Sequence, residues 1–147
     1  MQLKKEMIRL NQKFLNKEDA IRAVGQLLVD NGNVDATYVE AMLNREKIVT
    51  TYMGNFIAIP HGTDESKQQV HSTGISVIQV PYGVDFSIDD SEEKMAMLVF
   101  GIAGIGDEHL ELLSNIAVIC SDVNNVVRLV NAKSEEEIIK IFEGEKQ

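Results

Sequence analysis

Cysteine occurs once in 147 residues, as Cys120. A disulfide framework is therefore excluded, and a reducing compartment is expected. Cys120 lies in the apolar run Ile116-Ala117-Val118-Ile119-Cys120, so it reads as a small buried hydrophobe rather than a nucleophile. Basic residues are also few. Fourteen Lys and Arg stand against 23 Asp and Glu, giving a net charge of −9 and a pI near 4.8. That balance argues against nucleic-acid binding, which needs a basic footprint to displace counterions. It reads chiefly as a solubilising surface and is compatible with steering of a basic partner. Long apolar runs are missing as well. The most apolar stretch, residues 95–106, is too short and too glycine-rich to span a bilayer. No continuous apolar segment follows Met1-Gln2-Leu3-Lys4-Lys5-Glu6, so the N-terminus does not read as a signal peptide. The expected location is the cytoplasm.

Several reaction signatures are absent too. There is no Gly-x-Ser-x-Gly elbow for a serine hydrolase. There is no Gly-x-x-x-x-Gly-Lys-Ser/Thr loop, so a nucleotide-driven phosphotransferase is unsupported. No His-x-x-x-His pair occurs, which ranks a metal centre low. Neither a metal nor a cofactor is expected.

What remains is an ordinary globular composition, 44% hydrophobic and 25% charged, at the size of one domain covering residues 1–147. Met7, Ile8 and Leu10 suggest a short strand or extended arm. Asn16 is an N-cap with Glu18 and Asp19 in the first turn, and Ala20, Ile21, Val24, Leu27 and Leu28 repeat with helical period. Asn31-Gly32 closes that helix. A second helix is predicted over 35–46, capped by Asp35, with Tyr38, Val39, Met42 and Leu43 inward and Arg45 near its C-terminal end. Residues 48–52 are β-prone, and 74–80 alternate as a strand that ends at a Pro81-Tyr82-Gly83 turn. Residues 86–93 read as an acidic loop. Residues 95–103 read as a central strand covered on both faces. After a turn at 104–107 comes a helix striped by Leu110, Leu113, Ile116, Ala117 and Cys120. A short helix begins at Asp122. The last begins at a Ser134–Glu137 capping box, ahead of a polar tail from Gly144. Strands and helices alternate, so the fold class is α/β, a mostly buried β-sheet flanked by helices on both faces.

The chemistry points to Phe56-Ile57-Ala58-Ile59-Pro60-His61-Gly62-Thr63. The four apolar residues read as a buried strand that Pro60 ends, for it has no N–H for the ladder. His61 then stands just past a strand end on firm backbone. Gly62 removes bulk beside it and permits backbone angles that other residues avoid. His71 lies in the polar stretch 63–72 and reads as exposed. His109 falls in the first turn of a helix, where free N–H groups and the dipole favour an anion. Arg45 supplies a fixed charge and planar donors suited to phosphate. Together His61, His109 and Arg45 form a candidate phosphoryl site, with one imidazole nitrogen as nucleophile. From periodicity alone, Arg45 reads equally as a helix-end surface charge and His109 as a satisfied core-edge histidine.

The segment Gly54-Asn55-Phe56-Ile57-Ala58-Ile59-Pro60-His61-Gly62-Thr63 closely resembles the active segment of the mannitol/fructose class of IIA components of the bacterial phosphoenolpyruvate-dependent sugar phosphotransferase system. Arg45-Glu46, Thr73-Gly74-Ile75, Gly83-Val84-Asp85-Phe86, Gly101-Ile102-Ala103 and Glu108-His109-Leu110 extend the likeness over nearly the whole chain. Within the class it looks most like the free-standing mannitol-type members. The resemblance implies a mixed sheet with helices on both sides. It implies that His61 is phosphorylated on Nε2 by the phosphohistidine of HPr. The phosphoryl group then passes to a cysteine on the IIB domain of the mannitol transporter, IICB, carried on another chain. It also implies that Arg45 and His109 stabilise the phosphoryl group. Met53, Phe56, Ile105 and Leu110 are candidate apolar contacts for such partners. A second reading is a regulatory IIA-like protein of the fructose or nitrogen type, signalling by its phosphorylation state. One departure is Asn55, where mannitol members can carry glutamate. Asparagine keeps an acceptor and gains donors but loses the charge.

Overall fold

A computed structural model describes residues 3–89 and 92–144. Within them the chain folds as β1 (Ile8–Arg9), α1 (Lys17–Asp30), α2 (Tyr38–Ile48), β2 (Tyr52–Gly54), β3 (Ile57–Ala58), β4 (Gly74–Asp85), β5 (Met95–Ala103), α3 (Glu108–Cys120), α4 (Val123–Val130) and α5 (Glu135–Gly144). One five-stranded sheet runs in the order β1-β4-β5-β3-β2. β1 lies parallel to β4 and β3 parallel to β5, while β4–β5 and β2–β3 are antiparallel. The sheet is therefore mixed, and β5 is its central strand.

Two polar residues of β4 show that both faces are covered. Ser76 donates to the Val24 carbonyl of α1 at 2.8 Å. Gln79 donates to the carbonyls of Leu129 in α4 and of Ala132 at 2.9 and 3.0 Å. Three positions apart on a strand, these side chains point to opposite faces. Each is buried and each is bonded, as a polar group in a core must be. Helices α1 and α2 pack together on the first face, and α4 with α5 cover the second. Phe86, Phe100, Leu98, Ile102 and Ile57 are fully buried at the centre. Each is worth about 1.5–3 kcal/mol in area removed from water.

Most of the predicted elements are present. The Asn16 side chain accepts the Asp19 N–H at 2.9 Å, as its cap role requires. Asp122 caps Asn124 in the same way. The box at Ser134 is half made. Ser134 Oγ accepts the Glu137 N–H, whereas the Glu137 carboxylate accepts from Lys133 N–H.

Several expectations need correction. Helix α2 starts at Tyr38 rather than at Asp35, because Asp35 is held elsewhere. Its N–H goes to the Gln69 carbonyl, and its carboxylate lies 2.6 Å from His71 Nε2. Residues 81–83 are not a turn. β4 continues to Asp85, and a register irregularity between Gln79 and Val84 absorbs Pro81, with Gly83 at φ +81°. Phe56 is half exposed, with φ +65°, so the strand at the motif is only Ile57–Ala58. The inward stripe of α3 is Leu112, Ile116, Ile119 and Cys120, and Leu110 points outward. Gly144 is the last residue of α5. The tail beyond it, the first two residues, and residues 90–91 of the acidic loop lie outside the described residues. Among the described residues, no single helix is long and apolar enough to cross a membrane.

Candidate active site

β3 and β5 run parallel, so their C-terminal ends lie side by side. The chain leaves β3 through Ile59-Pro60 to His61, and leaves β5 through residues 104–107 to His109. The Pro60 carbonyl accepts the Ile102 N–H at 3.0 Å, and His61 bridges Ile102 in parallel register. This pairing brings the two histidines together. Their ring centroids are 5.2 Å apart with planes inclined at 63°. Both are half-buried. Open α/β sheets gather their reacting groups at this edge.

Arg45 joins them. It lies in the last turn of α2 and donates from Nη1 to the Val49 carbonyl at 2.7 Å, which pins the guanidinium beside the helix end. A cleft of about 380 Å³ is lined by Arg45, Ile48, Val49, His61, Gly62, Thr63, Asp64, Glu65 and His109. All three predicted site residues thus face one space. An adjoining cleft shares Gly62, Thr63, Asp64 and His109 and adds Lys67, Ile105 and Leu110.

The tautomer of His61 follows from one contact. Its Nδ1 lies 2.8 Å from the Ile59 carbonyl oxygen. A carbonyl only accepts, so the neutral ring carries its proton on Nδ1 and keeps a lone pair on Nε2. Burial lowers the His61 pKa below its ordinary value, and the charges of Arg45 and His109 push the same way. The Ile59 contact opposes them. Burial also lowers the His109 pKa. Lys67 adds to that effect and Asp64 opposes it. At neutral pH both rings are uncharged, so His61 presents a nucleophilic nitrogen. A dianion bonded there would attract a proton to His109.

Several residues that hold this site in place carry no local signal of that role in the sequence. Tyr38 belongs to an apolar stripe by its spacing, yet its hydroxyl donates to the Ile102 carbonyl and accepts the Gly62 N–H, both at 2.9 Å. One phenol thereby ties α2, the end of β5 and the His61 loop together. The available signal is that a buried tyrosine needs a partner for its hydroxyl. Gly62 serves close packing rather than open space or unusual angles. A Cβ there would fall 2.4 Å from Ser66 Oγ and 2.5 Å from the Tyr38 ring. Gly104 is similar, since a Cβ would sit 2.4 Å from His109 Cα. Thr73 accepts the Ile105 N–H and donates to Glu108, which fixes the turn just ahead of His109.

Other expectations resolve simply. His71 is exposed and pairs with Asp35. Cys120 is buried, and burial pushes its thiol pKa up to about 12, so it is no nucleophile. Asn55 sits in the β2–β3 turn at φ +49° and donates to the Cys120 carbonyl at 3.1 Å. A carboxylate could not make that bond. Asn55 therefore braces the C-terminal end of α3, at the far end from His109. Met53 and Phe56 are exposed beside it, away from the histidine end of β3.

Comparison with known proteins decides the family. The model for the phosphoenolpyruvate-dependent sugar phosphotransferase system, EIIA 2, matches residues 1–145. This chain belongs to that family. Its members are phosphotransferases that carry phosphate between proteins of the system, which the two-histidine cleft suits. The mannitol-specific phosphotransferase enzyme IIA component of Bacillus subtilis (strain 168) is 54% identical over 140 residues, 95% of each chain. The crystal structure of IIA mannitol from Escherichia coli superposes with a TM-score of 0.89 at 39% identity, covering 97% of this chain and 99% of that one. The complex of Escherichia coli enzyme IIAMtl with phosphorylated enzyme IIBMtl gives 0.91 at 38% identity, covering 97% and 98%.

Proposed function

We propose that this chain is the phosphoryl carrier of a mannitol uptake system, taking the group from phospho-HPr onto His61 and handing it to a cysteine of the IIB domain. The observation that carries the reading is the Ile59 contact. It leaves Nε2 of His61 as the free nitrogen of a ring that lines a cleft with His109 and Arg45. The 54% identity to a mannitol-specific IIA component supports the sugar. It also favours transport over a purely regulatory role.

The two steps balance without any cofactor. The His61 Nε2 lone pair forms a P–N bond as the P–N bond to the donor's histidine breaks and returns its lone pair. A IIB thiolate then attacks phosphorus, and the P–N bond to His61 breaks. Nδ1–H stays on the Ile59 carbonyl throughout, so the ring needs no proton transfer. Arg45 and His109 stand where donors can meet the phosphoryl oxygens as charge shifts between nitrogen and sulfur. Asp64 and Glu65 line the same cleft. Their charges keep it from being a deep anion trap, and the group stays transferable. Ile48, Val49, Ile105 and Leu110 are exposed around the clefts and supply an apolar centre for transient docking. The reading treats residues 1–147 as one domain and places it in the cytoplasm.

Reconstitution tests this. Phosphoenolpyruvate, enzyme I, HPr, this protein and membranes containing mannitol IICB should yield mannitol phosphate. No product despite a labelled carrier contradicts the transport reading.

A further inference from the structure

Glu46 follows Arg45 on α2 but turns inward, with its side chain only 3% exposed. Its Oε2 lies 3.3 Å from Nζ of Lys17 on α1, which also reaches the Phe86 carbonyl. Its Oε1 accepts two bonds from Thr51, from N–H at 2.8 Å and from Oγ1–H at 2.6 Å. Desolvating this ion is costly, and a well-packed apolar pair can often replace such a bridge without loss of stability. What the carboxylate holds therefore matters more than the ion pair itself.

It holds the strip from which both halves of the site hang. The Thr51 carbonyl accepts the Ile59 N–H at 3.0 Å, and the Ile59 carbonyl accepts Nδ1–H of His61 at 2.8 Å. Two residues before Thr51, the Val49 carbonyl accepts from Arg45. A continuous series of hydrogen bonds thus runs from Glu46 through Thr51 and Ile59 to His61, and a side branch reaches Arg45. We propose that Glu46 is a positioning residue of the phosphoryl site, pinning residues 49–51 so that His61 keeps one tautomer and Arg45 keeps one pose. The inference rests on the carrier reading for His61.

The role asks for an oxygen that takes both Thr51 donors, not for a charge as such. Two variants separate these needs. Glu46→Ala removes the oxygen. Glu46→Gln with Lys17→Met keeps an oxygen for Thr51 and deletes the charge pair. In the full-length protein with 15N-labelled histidine, the ring nitrogen shifts report the His61 tautomer without any phosphoryl donor. Uptake from phospho-HPr is timed separately. E46A should show a mixture of tautomers and uptake slowed by about ten- to a hundredfold, the effect of a misplaced reacting group. The label should remain on His61. The double variant should keep the single Nδ1–H form and near-native uptake. Wild-type tautomer and rate in E46A overturn the proposal. Should E46A not fold, Thr51→Val, which deletes one of the two donors, should move both readouts in the same direction by a smaller factor. An unchanged T51V is equally fatal. Wild-type protein that takes no phosphoryl group on His61 defeats the carrier reading instead, and the tautomer measurement still tests Glu46.

Discussion

The His109 ring stands edge-on to the His61 ring, 5.2 Å between centroids, although the two residues are 48 positions apart in sequence. Neither is placed by the other. Each follows its own strand, and the parallel pairing of β3 with β5 makes them neighbours. On the proposed reading His109 has a supporting task and His61 is the acceptor. His109→Ala should therefore slow phosphoryl uptake from HPr by about a hundredfold, the usual loss when one donor to a developing charge is removed. The label should stay on His61. Rapid-quench kinetics with labelled donor measure this, and an unchanged rate would remove His109 from the mechanism.

Gly62 and Tyr38 test the mount rather than the chemistry. Gly62→Ala forces a methyl group against Ser66 and the Tyr38 ring. It should lower stability by about 1–3 kcal/mol, the usual cost of overpacking. Tyr38→Phe leaves the Ile102 carbonyl and the Gly62 N–H without their shared partner. A similar loss of about 1–3 kcal/mol is expected for unsatisfied buried groups. Chemical denaturation midpoints check both.

Gly104→Ala should behave differently. Its new Cβ meets the backbone of His109, which must shift with the first turn of α3. Uptake should slow about as much as in His109→Ala, with the His61 tautomer unchanged. A full rate in this variant would show that the position of His109 is not critical.

The pH dependence has a definite sign. Burial holds both histidines below the usual value near 6.5, so the folded protein binds fewer protons than the unfolded chain. Their contribution to stability is complete above about pH 6.5 and is lost as pH falls through the lower folded values. Uptake by His61 needs a neutral ring and should be flat above about pH 6.5, declining only below it. NMR titration of the rings and denaturation at several pH values check this. A rate that still climbs between pH 7 and 8 would contradict it.

How much of this was legible in the sequence differs by level. The class was readable because β5 is apolar throughout and α1 carries a clear period and cap. Residues 81–83 misled because Pro-Tyr-Gly is turn chemistry, whereas the sheet tolerates it at an irregularity of β4. Helix α2 begins three residues after Asp35, because Asp35, a good cap by type, is engaged by His71 and Gln69. His61 was legible from Pro60 and the strand before it. His109 and Arg45 could be named by residue type, but the pairing of β3 with β5 brings His109 to His61 and the end of α2 brings Arg45, and no local pattern records either placement. Tyr38, Gly104, Thr73 and Glu46 act through contacts with distant backbone, so their roles became visible only with the fold.

Phosphorus NMR of the protein after labelling through phosphoenolpyruvate, enzyme I and HPr reports which nitrogen of which histidine carries the group. A single phosphohistidine signal from Nε2 of His61, absent in His61→Ala, is expected. A signal from Nδ1, from His109 or His71, or one that persists in His61→Ala would contradict it.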